Sequence, residues 1–262
     1  MKTIKAHSHT DREKVIKLIA PYIERKFGSN LIALAACCSF ARNDDSDYSD
    51  LELTAFVKKM PDNKPQDGVA KIYDGMLIEL IWMTKETYIK TVLDVNEHWH
   101  YSGSDRLVPI INEEFIHEIS AYQPKDLKEN CLDQVIGSFT EVQETVSKVL
   151  TAISRSNHQG MPLLFFEMLN QYLKILSFLN QTPFTTAAKM IAQGRKFPIQ
   201  LASFGKLLDM AEAGEYQDFV VLKRITVALF EELELLFESI DLPLSDDNLD
   251  PDKPVHKMRR MQ

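Results

Sequence analysis

Apolar positions recur at two different periods along this chain. Residues 11–27, "DREKVIKLIAPYIERKF", carry Val15, Ile16, Leu18, Ile19, Tyr22 and Ile23 at helical spacing, and Gly28 supplies the stop. The next run, "NLIALAACC", is apolar on both faces and reads as a central strand. Residues 50–57 alternate, with Leu51, Leu53, Ala55 and Val57 on one face and Asp50, Glu52, Thr54 and Phe56 on the other. After a breaker segment, "KKMPDNKPQDG", a further strand-like run extends from Met76 to Trp82. "TKETYIKTVLDVNEHW" reads as a helix and "RLVPIIN" as a short strand. From about residue 125 strands disappear, and 127–155, 161–180, 183–193, 199–213 and 216–240 all read as helices between "NHQG", "NQTP", "GRKFP" and "AGEY". The expected class is α+β: a sheet domain over 1–122, an all-α helical domain over 123–242, and an extended tail over 243–262.

Composition changes this picture little. A chain of 262 residues, 45% hydrophobic and 26% charged, has the make-up of a globular protein with a sizeable core. The opening "MKTIKAHSHTDREKV" lacks a basic-then-apolar leader, and "LIALAACCSFA" is too short to span a bilayer, so the expectation is a cytoplasmic protein with no membrane partner. Three cysteines, two of them adjacent at Cys37 and Cys38, suit neither a disulfide framework nor a zinc site and are expected to be reduced. A formal charge of −8 argues against sequence-independent nucleic-acid binding and favours a small cationic partner.

Charge within the strands is more informative. Asp50 and Glu52 are two apart on one strand, about 6.5–7 Å along it, so they point the same way and can share a divalent cation or a pair of cations. Glu79 stands inside the apolar run "LIELIW", where an ionised carboxylate is costly unless paired or bound to metal. On neighbouring strands these residues form a magnesium platform; singly, each fits a solvated face or an ion pair. Upstream, "CSFAR" lies where the first strand turns. Ser39 offers a hydroxyl and Arg42 a forked cation, suited to a polyphosphate, against plain roles as a helix cap and as an ion pair with Asp44, Asp45 or Asp47. The "HWH" at 98–100 reads as a helix end rather than a ligand set, and the stripe Phe165, Phe166, Met168, Leu169, Tyr172, Leu173 and Leu176 as core.

A strand, Ser-x-x-Arg, a polar spacer, Ser-Asp-Leu-Glu-Leu and a third carboxylate on a later strand together resemble the minimal nucleotidyltransferase superfamily, whose pattern is G-S-x-x-R…D-x-[DE]. Within it the chain is most similar to kanamycin (aminoglycoside) nucleotidyltransferases, through Tyr48-Ser49-Asp50 and the C-terminal helices. The resemblance implies a polymerase-beta-like mixed sheet with helices, followed by a helical bundle. It further implies two Mg²⁺ ions held by Asp50, Glu52 and Glu79, and an NTP contacted by Ser39, Arg42, Ser49 and Lys148. Glu144 is implied as general base, with Glu141 next in line on the same face; the i, i+4 pair Glu144–Lys148 also has the spacing of an ordinary surface salt bridge. The implied acceptor is a hydroxylated, cationic aminoglycoside bound in an acidic cleft between the domains, in a homodimer. A lincosamide acceptor and a non-catalytic nucleotide-binding module are the alternatives. Cys38 replaces the motif glycine, whose lack of a side chain lets backbone approach phosphates closely.

Overall fold

The computed structural model describes residues 4–61 and 64–240 together with Asp250; most of the expected tail lies outside these residues. The chain divides into two compact units, Met1–Lys125 and Asp126–Gln262.

Unit 1 is built on a five-stranded mixed sheet in the order β3-β4-β2-β1-β5, with β1 Leu31–Cys37, β2 Leu51–Val57, β3 Gln66–Tyr73, β4 Met76–Met83 and β5 Leu107–Ile111. β1 runs antiparallel to β2 and β5, β3 antiparallel to β4, and β2 parallel to β4. Both faces of β1 and most of β2 are covered, which accounts for the near-continuous apolar sequence of β1, whereas Leu77 and Ile81 on the second face of β4 are exposed. On one face α1 (His9–Phe27) lays Val15, Ile16 and Ile23 against Leu34, Leu53, Ala55, Ile78 and Leu80. On the other, Ile116 and Ile119 of α5 (Glu113–Ser120) pack on Ala33, Ala35 and Phe56, with Tyr88 of α3 (Lys85–Leu93) beside them. Two further turns of helix are short: α2 (Cys38–Ala41) and α4 (Trp99–Ser102).

Several expectations change. Leu18 and Tyr22 face solvent, because the buried stripe of α1 runs through Arg12, Val15, Ile16 and Ile23 instead. The breaker segment ends in an edge strand, β3, whose side chains are almost all exposed and so leave no apolar alternation to read. It joins β4 through Asp74 and Gly75, both at positive φ (48° and 83°), a primed two-residue hairpin turn. The helix expected up to Trp99 breaks after Leu93, where the Asn96 carboxamide accepts from the His98 N–H at 2.9 Å. Helix α5 was not anticipated; Asn112 caps it, accepting from Phe115 N at 3.3 Å while donating to the Ile32 carbonyl at 3.0 Å.

Among the described residues the regular elements of unit 2 are all helical, the α-helices being α6 (Leu127–Ser154), α7 (Met161–Leu179), α8 (Met190–Gly194), α9 (Phe204–Ala213) and α10 (Phe219–Ser239). α6 and α7 form an antiparallel-type hairpin core, and α10 adds Leu222, Ile225, Leu229, Leu233 and Phe237 at helical spacing. The α7 stripe is core as expected, except that Phe166 is exposed. Two expected helices shrink because side chains claim the backbone. Gln193 accepts from Thr185 N at 3.1 Å, so 183–186 stays outside any helix, and Asn180 brackets Ile199 through two bonds of 2.8 Å, so α9 starts only at Phe204.

Candidate functional site

The acidic platform forms at the start of β2. Glu52 and Glu79 are register partners in the parallel β2–β4 ladder, so they point to the same face side by side. Asp50 joins them from the residue preceding β2, and one oxygen from each carboxylate lies within 4.8 Å of the others. Among the described residues this is the one group of three acidic, His or Cys side chains close enough to share a metal ion. Further along the same face Thr54 is buried and Phe56 is covered by Tyr88 of α3 and Phe115 of α5, whereas the three carboxylates stay half-buried and accessible.

Electrostatics of the cluster ask for a cation. Burial, then repulsion from Asp50, Asp105 and Glu79, pushes the Glu52 carboxyl above its ordinary range, although the Cys38 thiol opposes this by hydrogen-bonding it. Hard oxygen donors crowded in this way fit Mg²⁺ or Mn²⁺, which prefer carboxylate oxygen, and not a thiophilic metal.

The turn after β1 lies beside the platform. Ser39 is half-buried on α2, and the backbone N–H of Arg42 closes the turn onto the Cys38 carbonyl at 3.1 Å. The Arg42 guanidinium is held by Asp44 at 3.5 Å and by Asp105 at 3.3 Å. Asp105, just before β5, was not singled out in the sequence. Its surroundings push its carboxyl up despite Arg42, because burial outweighs the cation. Cys38 occupies the motif-glycine position with φ 58°, in the left-handed region that favours glycine. Its thiol hydrogen-bonds Glu52 and Asp105, and contact with Cys37, then burial, pushes it well above the ordinary thiol range, so it remains protonated. Tyr88 borders the same space, its hydroxyl pushed up to about 12 by burial.

Ser49 is engaged structurally. Its hydroxyl accepts from Ser46 N at 2.9 Å, and its carbonyl accepts from Arg12. Arg12 is fully buried in the stripe of α1, where a charge signals a dedicated partner, although its position in the sequence resembles that of an ordinary surface cation.

In unit 2, Glu144 and Lys148 pair with each other across one turn of α6 at 3.0 Å, and Lys148 approaches Glu167 at 4.0 Å. Glu141 is paired with Lys174 at 3.5 Å. His98 is exposed while Trp99 and His100 are buried, with His100 Nδ1 2.8 Å from the Glu97 carbonyl; the three residues open the short helix α4 instead of ending the longer helix expected before them. No helix among the described residues is long and apolar enough to cross a membrane.

Residues 116–242 match the family of KNTase C-terminal domains. Among solved structures the chain is similar to a nucleotidyltransferase-like protein from Exiguobacterium sibiricum, at 13% identity over 88% of this chain and 76% of that one, with a TM-score of 0.49. No curated protein sequence matches it.

Proposed function

We propose that this chain, whose residues 116–242 match the family of KNTase C-terminal domains, is a nucleotidyltransferase that transfers a nucleoside monophosphate from an NTP to a hydroxyl of a cationic small molecule of the aminoglycoside class, with release of pyrophosphate. The observation that carries this reading is the in-register pair Glu52–Glu79 completed by Asp50, beside a turn that presents Ser39 and Arg42. Bound there, Mg²⁺ supplies positive charge against the triphosphate and the developing charge of the transition state.

The chain's own groups do the rest. Asp50, Glu52 and Glu79 hold the cations, and Ser39 with the α2 turn positions the phosphates. Arg42 exchanges Asp105 and Asp44 for phosphate oxygens, a swap of one set of charge-assisted bonds for another. By the resemblance Glu144 accepts the proton of the acceptor hydroxyl and Lys148 binds the triphosphate, roles that require the present Glu144–Lys148 pair to part. The formal charge of −8 favours an acceptor bearing amines, and a homodimer is part of the same proposal. The test is incubation with Mg-ATP and the other Mg-NTPs and a panel of aminoglycosides and lincosamides, followed by mass spectrometry for a nucleotidyl adduct and by a pyrophosphate assay. Lincosamide adducts alone transfer the proposal to that acceptor class.

A second reading, a non-catalytic nucleotide-binding module, is favoured by two details: Cys38 in a left-handed backbone where the motif has glycine, and Arg42 already clamped by two carboxylates. Nucleotide binding without pyrophosphate release across the panel selects it.

A further inference from the structure

Arg12 is the largest fully buried side chain among the described residues, and apart from one bond to the His7 carbonyl its guanidinium donates to Asp45, Ser46 and Ser49, in the segment that leads into the acidic platform. Its Nε and Nη2 donate to the carbonyl of Ser49 at 3.2 and 2.5 Å, fixing the peptide that directly precedes Asp50. Nη2 also donates to the Ser46 carbonyl at 2.7 Å. Nη1 donates to the His7 carbonyl at 2.9 Å and to Asp45 Oδ2 at 3.0 Å. The spacer between the phosphate turn and β2 contains no regular element, and on its own such a polar loop has many conformations. A planar fork with fixed donors removes that freedom where a flexible ammonium could not.

The same helix end reaches the other half of the site. Asp45, 2% exposed at its side chain, binds His9 Nδ1 at 2.7 Å as well as Arg12, and the His9 ring stacks on Phe40 with centroids 4.3 Å apart and planes 4° from parallel. Phe40 lies in α2 between Ser39 and Arg42. From α1, therefore, one pair of side chains grips both the turn offered to the phosphates and the loop that delivers the first metal ligand.

We propose that Arg12 and His9 are positioning residues for nucleotidyl transfer: Arg12 sets the direction in which Asp50 enters the platform, and His9 ties that loop to the phosphate turn through Asp45 and Phe40. The proposal rests on the nucleotidyltransferase reading of the site. Residues that orient metal ligands without touching the metal characteristically change metal affinity by roughly 10–100-fold. A brace that serves stability alone shifts the unfolding midpoint and leaves the affinity of the folded protein where it was.

The experiment measures Mn²⁺ and Mn-ATP affinity by calorimetry, with urea unfolding in parallel, for the wild type, Asp50→Asn, Arg12→Lys and His9→Ala. Asp50→Asn is expected to abolish Mn²⁺ binding. Arg12→Lys keeps the charge and loses the fork, and under conditions where it is folded it is expected to bind Mn²⁺ roughly tenfold more weakly. His9→Ala, a partly exposed position, is expected to weaken Mn-ATP binding severalfold with a near wild-type midpoint. Wild-type affinities in both folded variants, alongside loss in Asp50→Asn, overturn the positioning role and leave nucleotidyl transfer standing. Should Arg12→Lys not fold, an unchanged Mn-ATP affinity in His9→Ala is by itself the overturning result. Failure of the wild type to bind Mn²⁺, or binding unaffected by Asp50→Asn, removes the nucleotidyltransferase reading and this proposal with it.

Discussion

Position 38 allows the backbone and the side chain of one residue to be separated by two substitutions. An L-residue at φ 58° carries a left-handed penalty of about 1–2 kcal/mol. Cys38→Ala retains that penalty and loses the half-buried sulfur, so it is expected to destabilise by about 1 kcal/mol, of the order of one buried methylene. Cys38→Gly loses the same sulfur and escapes the penalty, but glycine folds from a freer unfolded chain at a cost of about 0.5–1 kcal/mol. The glycine variant should therefore exceed the alanine variant by about 0.5–1 kcal/mol and lie close to the wild type. Equilibrium urea unfolding of the three proteins, analysed for midpoint at constant m, resolves this difference. Alanine as stable as glycine would falsify the left-handed backbone at this residue. The same proteins read the function of the site. If the Cβ and sulfur hold phosphates away, the NTP KM falls in the glycine variant and less so in the alanine variant; an unchanged KM in both shows that the thiol serves Glu52 and Asp105 rather than crowding the nucleotide.

Glu52→Gln is expected to raise the melting temperature of the metal-free protein at neutral pH, since its raised folded-state pKa means that the ionised native form is disfavoured. The sign follows from the direction: the penalty is full above the folded-state value and is relieved as pH falls through it toward the ordinary 4.5, so the advantage of Glu52→Gln should vanish in acid. Added Mg²⁺ should raise the melting temperature of the wild type and not of this variant. Asp50→Asn should abolish transfer while circular dichroism and unfolding midpoint stay near wild type; retention of most turnover would sink the metal assignment. Glu144→Gln is expected to lower turnover by roughly 10²–10⁴ with little change in nucleotide binding, and Lys148→Met to raise the NTP KM. Should both leave kinetics alone and cost under about 1 kcal/mol, the pair is a surface salt bridge and Glu141 is next to be tested.

The platform was legible in the sequence because strand periodicity converts spacing directly into facing: Asp50 and Glu52 two apart, and Glu79 alone among apolar neighbours, permit few other arrangements. What escaped was carried by groups without a period. Asp105 and Tyr88 reach the site from separate segments, and only tertiary structure shows that they do. Edge strand β3 lacks a buried face, yet "YDGM" at 73–76 holds the Asp-Gly signal of a primed hairpin and offered the clue that its polar sequence concealed. Arg12 was visible in principle, as the one charge in the stripe that Val15, Ile16 and Ile23 define.

The path of the chain through the sheet has a kinetic meaning. β2 and β4 are parallel neighbours with no α-helix between them among the described residues; the chain goes out to β3 at the edge and returns through the Asp74–Gly75 turn, so that β4 sits between β3 and β2. A hairpin of this kind closes locally on the microsecond scale, long before distant strands meet. Glu79 is thus carried on a preformed ribbon, and Glu52 meets it only when that ribbon docks along β2 in the register that sets the two carboxylates side by side. Docking of the ribbon is then the step that brings these like charges together.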